Sequence, residues 1–515
     1  MKYRNPVVRG FYPDPSICRS SVTGKYYLVT SSFQYFPGVP VFESEDLVNY
    51  KQVGHVLTGP EQVMLEGVRS SGGVFAPTIR EHAGRFYMVT NNNSTAENFY
   101  VYTDDIYGEW SEPIVVDQEG IDPSLLFDTD EDGTVHCYFI SNGVAEDGRG
   151  GIMQCEINVT TGEKLSETKC IWQGSGGRYL ESPHMYRIGD YYYIMAAEGG
   201  TEYGHMITYA RGTSVWGPFE DYPHNPVLTN RNKAPFIIQG IGHGDLIEGP
   251  DGNWYMVSLG FRQQGEWMAY HSLGRETFLT PAKFGDDGWF TVGDGTTDFE
   301  YDIPIDSTQL RRNVESFETT SWDNDWVHLR IPDKSNYVFS PDSVALTGSS
   351  VTLEDVASPT FIGIRQKEYN FELSVNVNAS IALPRKGERL LDVVKSWSCT
   401  GITVYLNENE HYDLAISSNG HAILRLNIGG IKHIEKKINL KDDGEVTLIC
   451  RGTHDTYTFY VKDAGGKEIC LGSGRTKYLS SEVDGGFTGV MLGLFAEGHV
   501  TGTFTDFKCT YTEDL

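Results

Sequence analysis

The chain has 515 residues, 39% hydrophobic and 12% aromatic, with 57 glycines and a formal charge of −29 at pH 7. That length is more than one core holds, so two or more domains are expected. Such acidity suits neither nucleic acid, nor an anionic membrane, nor a polyanionic substrate, and leaves neutral ligands open.

The opening "MKYRNPVVRG" has no apolar signal-peptide core and enters patterned sequence at once, so no signal peptide is expected. No run of about eighteen apolar residues predicts a membrane span. The eight cysteines (18, 137, 155, 170, 399, 450, 470 and 509) are scattered, without a CxxC pair. This fits reduced thiols and a cytoplasmic location better than a disulfide framework or a zinc site.

In "GFYPDPSICRS" (10–20), Asp14 stands between Pro13 and Pro15. Each proline fixes its own φ, removes a donor and biases the preceding residue, so Asp14 is expected in extended backbone with few local partners. Alone, the stretch also reads as a surface turn.

It is, however, the first of five similar segments. "YPDPSICRSSVTGKYYLVTSS" starts at 12, "FAPTIREHAGRFYMVTNN" at 75 and "IDPSLLFDTDEDGTVHCYFIS" at 121. "LESPHMYRIGDYYYIMAAEG" starts at 180 and "IGHGDLIEGPDGNWYMVSLG" at 241. In each, a glycine-containing turn joins two strand-like, aromatic-rich runs. Further strands such as "IMQCEIN" and "MITYARG" lie between them, and helical periodicity is absent. The spacing is that of one four-stranded blade, so an all-β five-bladed β-propeller is predicted over residues 1–300.

A Gly/Asp/Thr-rich connector, "TVGDGTTDFEYDIPID" (291–306), leads to a change of texture, with the linker expected at 301–311. Over 312–515 the runs "SVTLEDV", "FELSVNVNASIAL", "GITVYLNENEHYDLAIS", "EVTLICRG", "YTFYVKD" and "TGTFTDFKCTY" alternate with turn residues. They predict a two-sheet β-sandwich.

In a propeller the first strand of each blade lines the channel, so equivalent repeat positions should meet there. Alignment puts Asp14, Ala76, Asp122, Glu181 and His243 at one level. Capping of turns would explain aspartates, but not the glutamate of the fourth repeat or the alanine of the second. Converging carboxylates raise each other's pKa, which a fold tolerates mainly where chemistry uses it. A calcium site would want six to eight oxygens, commonly from one loop, and these acids are dispersed. "DTDEDG" (128–133) lacks the distal glutamate of such a loop and reads as a solvated turn. His243 suits an ion, a water or a hydrogen-bonded core position equally. Glycoside hydrolysis with inversion needs a carboxylate base and a carboxylic acid on opposite sides of the bond, about 6.5–9.5 Å apart. A funnel across a propeller axis offers that spacing, and a third acid can tune the donor.

"NPVVRGFYPDPSI", "SSFQYFPGVPVFESEDLVNY", "SGGVFAPTI", "YLESPHMY", "AAEGGTEYGHM", "GHGDL" and "HSLGRETF" resemble glycoside hydrolase family 43, most closely its two-domain β-xylosidases and α-L-arabinofuranosidases. The resemblance implies the same propeller and gives the acids roles. Asp14 matches the general base, Glu181 the general acid, and Asp122 the residue that raises and orients that acid. Arg275 matches a substrate-contacting arginine and His243 the axial histidine, while Phe33 and Phe75 are expected at the sugar. Where this chain has Phe75, relatives often carry Trp or Tyr, and where it has Ser182, Gly. "LRIPD" and "SPTFIGIRQ" resemble the opening of the lectin-like, concanavalin-A-like sandwich of these enzymes. Its loop "GGFTGVMLG" (485–493) is expected to close the funnel, with Phe487 at the sugar or, equally, in the sandwich core.

The implied activity is exo-acting, inverting release of terminal xylose from β-1,4-xylo-oligosaccharides. The alternatives are α-L-arabinofuranosidase or dual action at the same site and, further off, a non-catalytic carbohydrate-binding protein or a propeller that serves protein interactions. No cofactor is expected to be required, and calcium or another ion near His243 stays open. The expected partner is a small oligosaccharide, with a homo-oligomer open and neither nucleic acid nor membrane.

Overall fold

The computed structural model describes residues 2–265, 267–305, 316–318, 323–381, 398–440, 445–462 and 465–512. Five four-stranded antiparallel sheets follow one another in the first 292 residues, each with its strands in chain order. The first strands, Ser16–Arg19, Thr78–His82, Ser124–Thr129, Glu181–Ile188 and Ile238–Glu248, pack side by side in a closed ring. The aromatic and β-branched content that predicted strands fills the seams between blades. Val29 and Ile79 meet in one seam, Val89 and Leu125 in the next, and Ile140 and Met185 in the third. Ile207 and Ile241 share the fourth, and Val257 with Leu28 closes the circle. This is the predicted five-bladed propeller.

Two antiparallel pairings fasten the ends of the ring. Lys2–Arg4 pairs with Glu300–Asp302, and Val8 bridges Thr277. The Asn5 side chain accepts from Leu279 N and donates to Leu279 O, both at 2.9 Å. The start of the expected connector thus lies against the N-terminal strand, and its residues 306–311 lie outside the described residues.

Beyond it, an eight-stranded and a six-stranded sheet face each other across one apolar core that includes Leu373, Val404, Leu414, Phe459 and Leu492. Most of the expected runs are strands, including Asn370–Ile381, Val446–Gly452 and Val500–Thr512. "SVTLEDV" is not. Asp355 accepts from Thr352 N at 2.8 Å and Thr352 Oγ1 at 2.9 Å, which turns the chain. Leu353 is buried with Phe33 and Tyr35 instead of in a sheet. Its apolar character serves the contact between domains, which alternation alone does not reveal.

That contact is dense. His328–Leu329 pairs with Tyr35–Phe36 of the propeller. Arg262 binds Glu276 and Glu368, each at 2.7 Å, and Arg9 binds Glu368 at 2.7 Å. Val490 N donates to Ser272 O at 2.9 Å, and a Cβ on Gly489 would stand 2.4 Å from Leu273 O. Only glycine permits that approach, which lays the loop before Met491 along the propeller surface.

Candidate active site

The site grows from the starts of the inner strands. Asp14 (φ +54°), Asp122 (+53°), Ser182 (+57°) and His243 (+46°) all take left-handed backbone. The expectation of extended geometry at Asp14 is therefore corrected. Long-range bonds impose the turn: Tyr12 N donates to Arg275 O at 3.1 Å, and Ser31 N donates to Pro13 O at 3.1 Å. Asp tolerates this conformation better than most residues, and the tertiary bonds outweigh the local bias before proline.

The same angles revise the repeat alignment. Ser182 precedes Pro183 as Asp14 precedes Pro15 and Asp122 precedes Pro123, so Ser182 is the backbone equivalent in the fourth blade. Glu181 stands one residue earlier, where the strand register shifts between Glu181 and His184. It is half-buried, whereas Asp14 and Asp122 are 6% and 8% exposed.

All five aligned residues nevertheless line one cavity of about 310 Å³, together with Phe33, Phe75, Thr201, His205, Arg275 and Phe487. Arg275 Nη1 donates to Asp14 Oδ1 at 3.0 Å and to Thr201 Oγ1 at 2.8 Å. Ser31 Oγ donates to Asp14 Oδ2 at 2.5 Å. The expectation of a carboxylate with few partners is thus also corrected, because partners distant in sequence fill the place of local ones. Asp122 Oδ2 accepts from Ser182 N at 3.1 Å and Ser182 Oγ at 3.0 Å. Ser182 Oγ lies 2.6 Å from His243 Nδ1, and His243 Nδ1 lies 3.5 Å from Asp14 Oδ1. His205 Nδ1 is 3.0 Å from Gly240 O, so Nδ1 carries the proton and Nε2 is left as an acceptor.

Burial and charge then separate the acids. Burial opposes ionisation of Asp14, but Arg275, His243 and Ser31 outweigh it and hold its carboxyl below the usual range. Glu181 is pushed up to about 7 by burial and by the Asp14 charge, with Arg275 opposing. Asp122 is raised well above the ordinary value by burial, then by Glu181 and Asp14, against its bonds from Ser182. One carboxyl is thus poised as a base and another as an acid near neutrality, the division acid–base catalysis requires. Burial lowers the His243 pKa, and lowers that of His205 to about 3, so the His205 imidazole is neutral.

An aromatic wall completes the cavity. Ring centroids of Phe33 and Phe75 are 5.4 Å apart, and Phe487 lies 6.1 Å from each. Phe487 comes from the sandwich loop: its N donates to Ser71 Oγ at 2.8 Å, and its carbonyl accepts from Arg275 Nη2 at 3.4 Å. At 39% exposure it is a wall residue and not part of the sandwich core. Below the cavity, Arg80, His184, Tyr186 and Asp245 fill the channel. Arg80 Nη1 binds Asp245 at 2.8 Å, Arg80 Nη2 meets His184 Nδ1 at 2.9 Å, and Tyr186 donates to Asp245 at 2.5 Å. Among the described residues, no group of three or more His, Cys, Asp or Glu is arranged to hold a metal. The turn in "DTDEDG" is exposed, but Asp128 is buried against Arg187, 2.7 Å away, and Tyr192, 2.6 Å away.

Ser31, Thr201, His205 and Tyr179 were not singled out in the sequence. All four sit within the quoted motifs, Ser31 opening "SSFQYFPGVPVFESEDLVNY", Tyr179 opening "YLESPHMY", and Thr201 and His205 inside "AAEGGTEYGHM", which are usable signals.

The matches to known proteins agree with this geometry. The model of Glycosyl hydrolases family 43 matches residues 3–290, and that of the Beta xylosidase C-terminal Concanavalin A-like domain matches residues 314–511. A non-reducing end α-L-arabinofuranosidase of Bacteroides ovatus is 38% identical over 98% of this chain and 95% of its own length. A xylosidase/arabinosidase of Butyrivibrio fibrisolvens is 33% identical over 99% and 98%. A solved structure from the Bacteroides ovatus xyloglucan locus superposes with a TM-score of 0.88 at 36% identity, covering 100% of both chains. A xylan β-1,4-xylosidase from Bacillus halodurans gives a TM-score of 0.86 at 28% identity, covering 99% of this chain and 100% of its own. A propeller whose inner strands bring three acids together, followed by a concanavalin A-like sandwich, and matched from end to end by such relatives, belongs to glycosyl hydrolase family 43 and is a glycosidase.

Proposed function

We propose that this glycosidase acts from the chain end, with inversion, and releases terminal xylose from β-1,4-xylo-oligosaccharides. The supporting observation is that Asp14, Asp122 and Glu181 face a single cavity of about 310 Å³ that Phe487 bounds from the second domain. The polar plug of Arg80, His184 and Asp245 fills the channel below it. A chain end enters such a well, whereas the middle of a polymer does not.

In the proposed reaction, Asp14 takes a proton from water as the water oxygen attacks the anomeric carbon. The bond to the leaving oxygen breaks, and that oxygen receives the proton of Glu181. Asp122 acts on Glu181 through charge and position. The phenylalanine wall gives the sugar ring an apolar face. Arg275 ties Asp14 to Thr201 and the Phe487 carbonyl, so closure of the well and the ionised state of the base depend on one guanidinium. The eight free thiols support a reducing compartment as its place of action.

A second reading, removal of terminal α-L-arabinofuranosyl groups by the same site, is favoured by the 38% identical arabinofuranosidase. Rates on 4-nitrophenyl β-D-xylopyranoside and α-L-arabinofuranoside separate the two. NMR of the first anomer released tests inversion: a β-xyloside should give α-xylose. Asp14→Ala should lose at least about a hundredfold in rate while remaining folded. A near-normal rate in that variant would remove Asp14 from the role of base.

A further inference from the structure

The hydrolytic step leaves Tyr179 without a use. It lines the same cavity and is 61% exposed, against 6% for Asp14 and 8% for Asp122. The cavity therefore runs from the buried acids, past half-buried Glu181, to Tyr179 at its mouth. Tyr179 stands two residues before Glu181 in the chain. Glu181 gives its proton to the leaving oxygen, so the leaving group lies on the Glu181 side of the cleaved bond.

The Tyr179 backbone is strained. Its φ of +53° is one a bulky residue adopts only when its surroundings hold it there. The hold is visible. The Arg178 guanidinium lies over the ring, 5.1 Å from its centroid. Arg178 Nε donates to Gly199 O at 3.1 Å, and Nη2 donates to Glu202 Oε1 at 3.2 Å. A Cβ on Gly200 would come within 3.2 Å of the Tyr179 ring and 3.4 Å of the Arg178 guanidinium, so the bare glycine makes room for the pair. An aromatic ring this exposed buries too little area for packing to explain the strain.

We propose that Tyr179, backed by Arg178, is the platform for the leaving group, and that this group is a sugar ring stacked by its C–H face on the tyrosine. Glu202, which also lines the cavity, offers a carboxylate to the hydroxyls of that ring. The proposal rests on the exo reading of the same cavity. It makes the enzyme selective for saccharide leaving groups over small ones.

The test compares two substrates with one glycone and different leaving groups: β-1,4-xylobiose and β-D-xylopyranosyl fluoride. Tyr179→Asn removes the ring, and asparagine tolerates left-handed backbone. Its kcat/KM on xylobiose should fall about tenfold, mainly through KM, and on the fluoride should change less than about twofold. Tyr179→Phe keeps the ring and should behave as wild type on both. An equal loss on both substrates, or an unchanged rate of Tyr179→Asn on xylobiose, overturns the proposal. If the wild type prefers arabinofuranose, the comparison is read on α-L-arabinofuranosyl fluoride and an α-L-arabinofuranosyl xyloside. Failure of the xylose reading thus shows in the wild type, and failure of the platform only in the variants.

Discussion

Arg275 Nη1 lies 3.0 Å from Asp14 Oδ1, and both side chains are buried although 261 residues separate them. A buried carboxylate without that cation would hold its proton more tightly, since desolvation would then go less opposed. Arg275→Met should therefore raise the Asp14 pKa and move the acid limb of the kcat/KM profile to higher pH. Activity should fall most at acidic pH and recover in part towards neutrality. A pH profile lowered evenly, with the acid limb in place, would show that the arginine serves the substrate alone.

In the proposed reaction Glu181 acts in its protonated form, and burial and the Asp14 charge push its pKa up to about 7. In the wild type, kcat/KM should fall as pH rises through about 7. Glu181→Ala should lose roughly a hundredfold to ten-thousandfold on xylobiose, the range for a missing general acid. On 2,4-dinitrophenyl β-xyloside, whose leaving group needs no proton, the loss should be far smaller and the limb near neutrality should vanish. Steady-state kinetics across pH on both substrates provides the check, and equal losses on the two would contradict the assignment.

Ser182 donates twice to Asp122, through N at 3.1 Å and Oγ at 3.0 Å, from backbone with φ +57°. Ser182→Gly removes the hydroxyl bond and the strain together. Relief of left-handed backbone, about 1 kcal/mol, is opposed by loss of the buried hydroxyl bonds to Asp122 and His243, so urea unfolding should show no net stabilisation. Loss of the hydroxyl makes the Asp122 carboxylate hold its proton more tightly. Asp122 already resists ionisation, and Glu181 is raised by burial and the Asp14 charge, so the alkaline limb should stay in place. A limb that moves to lower pH would show that Asp122 is charged beside Glu181 in the wild type.

Glu368, 2% exposed, accepts from both Arg262 and Arg9 at 2.7 Å, while Arg262 also holds Glu276. Four charges from the two domains thus cancel in one buried cluster. Glu368→Ala leaves an uncompensated cation there and should cost about 3–5 kcal/mol. Urea unfolding monitored by tryptophan fluorescence reads the loss, and a change below about 1 kcal/mol would mean that water already reaches the cluster.

The residues alone disclosed five repeated hairpins, because turn glycines and strand alternation are properties of near neighbours. They also disclosed Asp14 and Asp122, because repeats that build a ring must bring equivalent positions to its axis, and placed Glu181 within one residue of the fourth such position. The fold decided what those acids can do. Asp14 takes left-handed backbone because Tyr12 N binds Arg275 O, a bond made only when the ring is closed, and Pro13 O accepts from Ser31 N across the first hairpin. Ser182, and not Glu181, occupies the fourth equivalent place because a strand irregularity shifts the register by one residue. Phe487 joins the wall because glycines let its loop lie against Leu273 and Gly274, a contact between domains that no local pattern encodes. Strand formation is local and repeats along the chain; charge, closure and proton affinity arise from residues hundreds of positions apart and exist only once those residues are packed together.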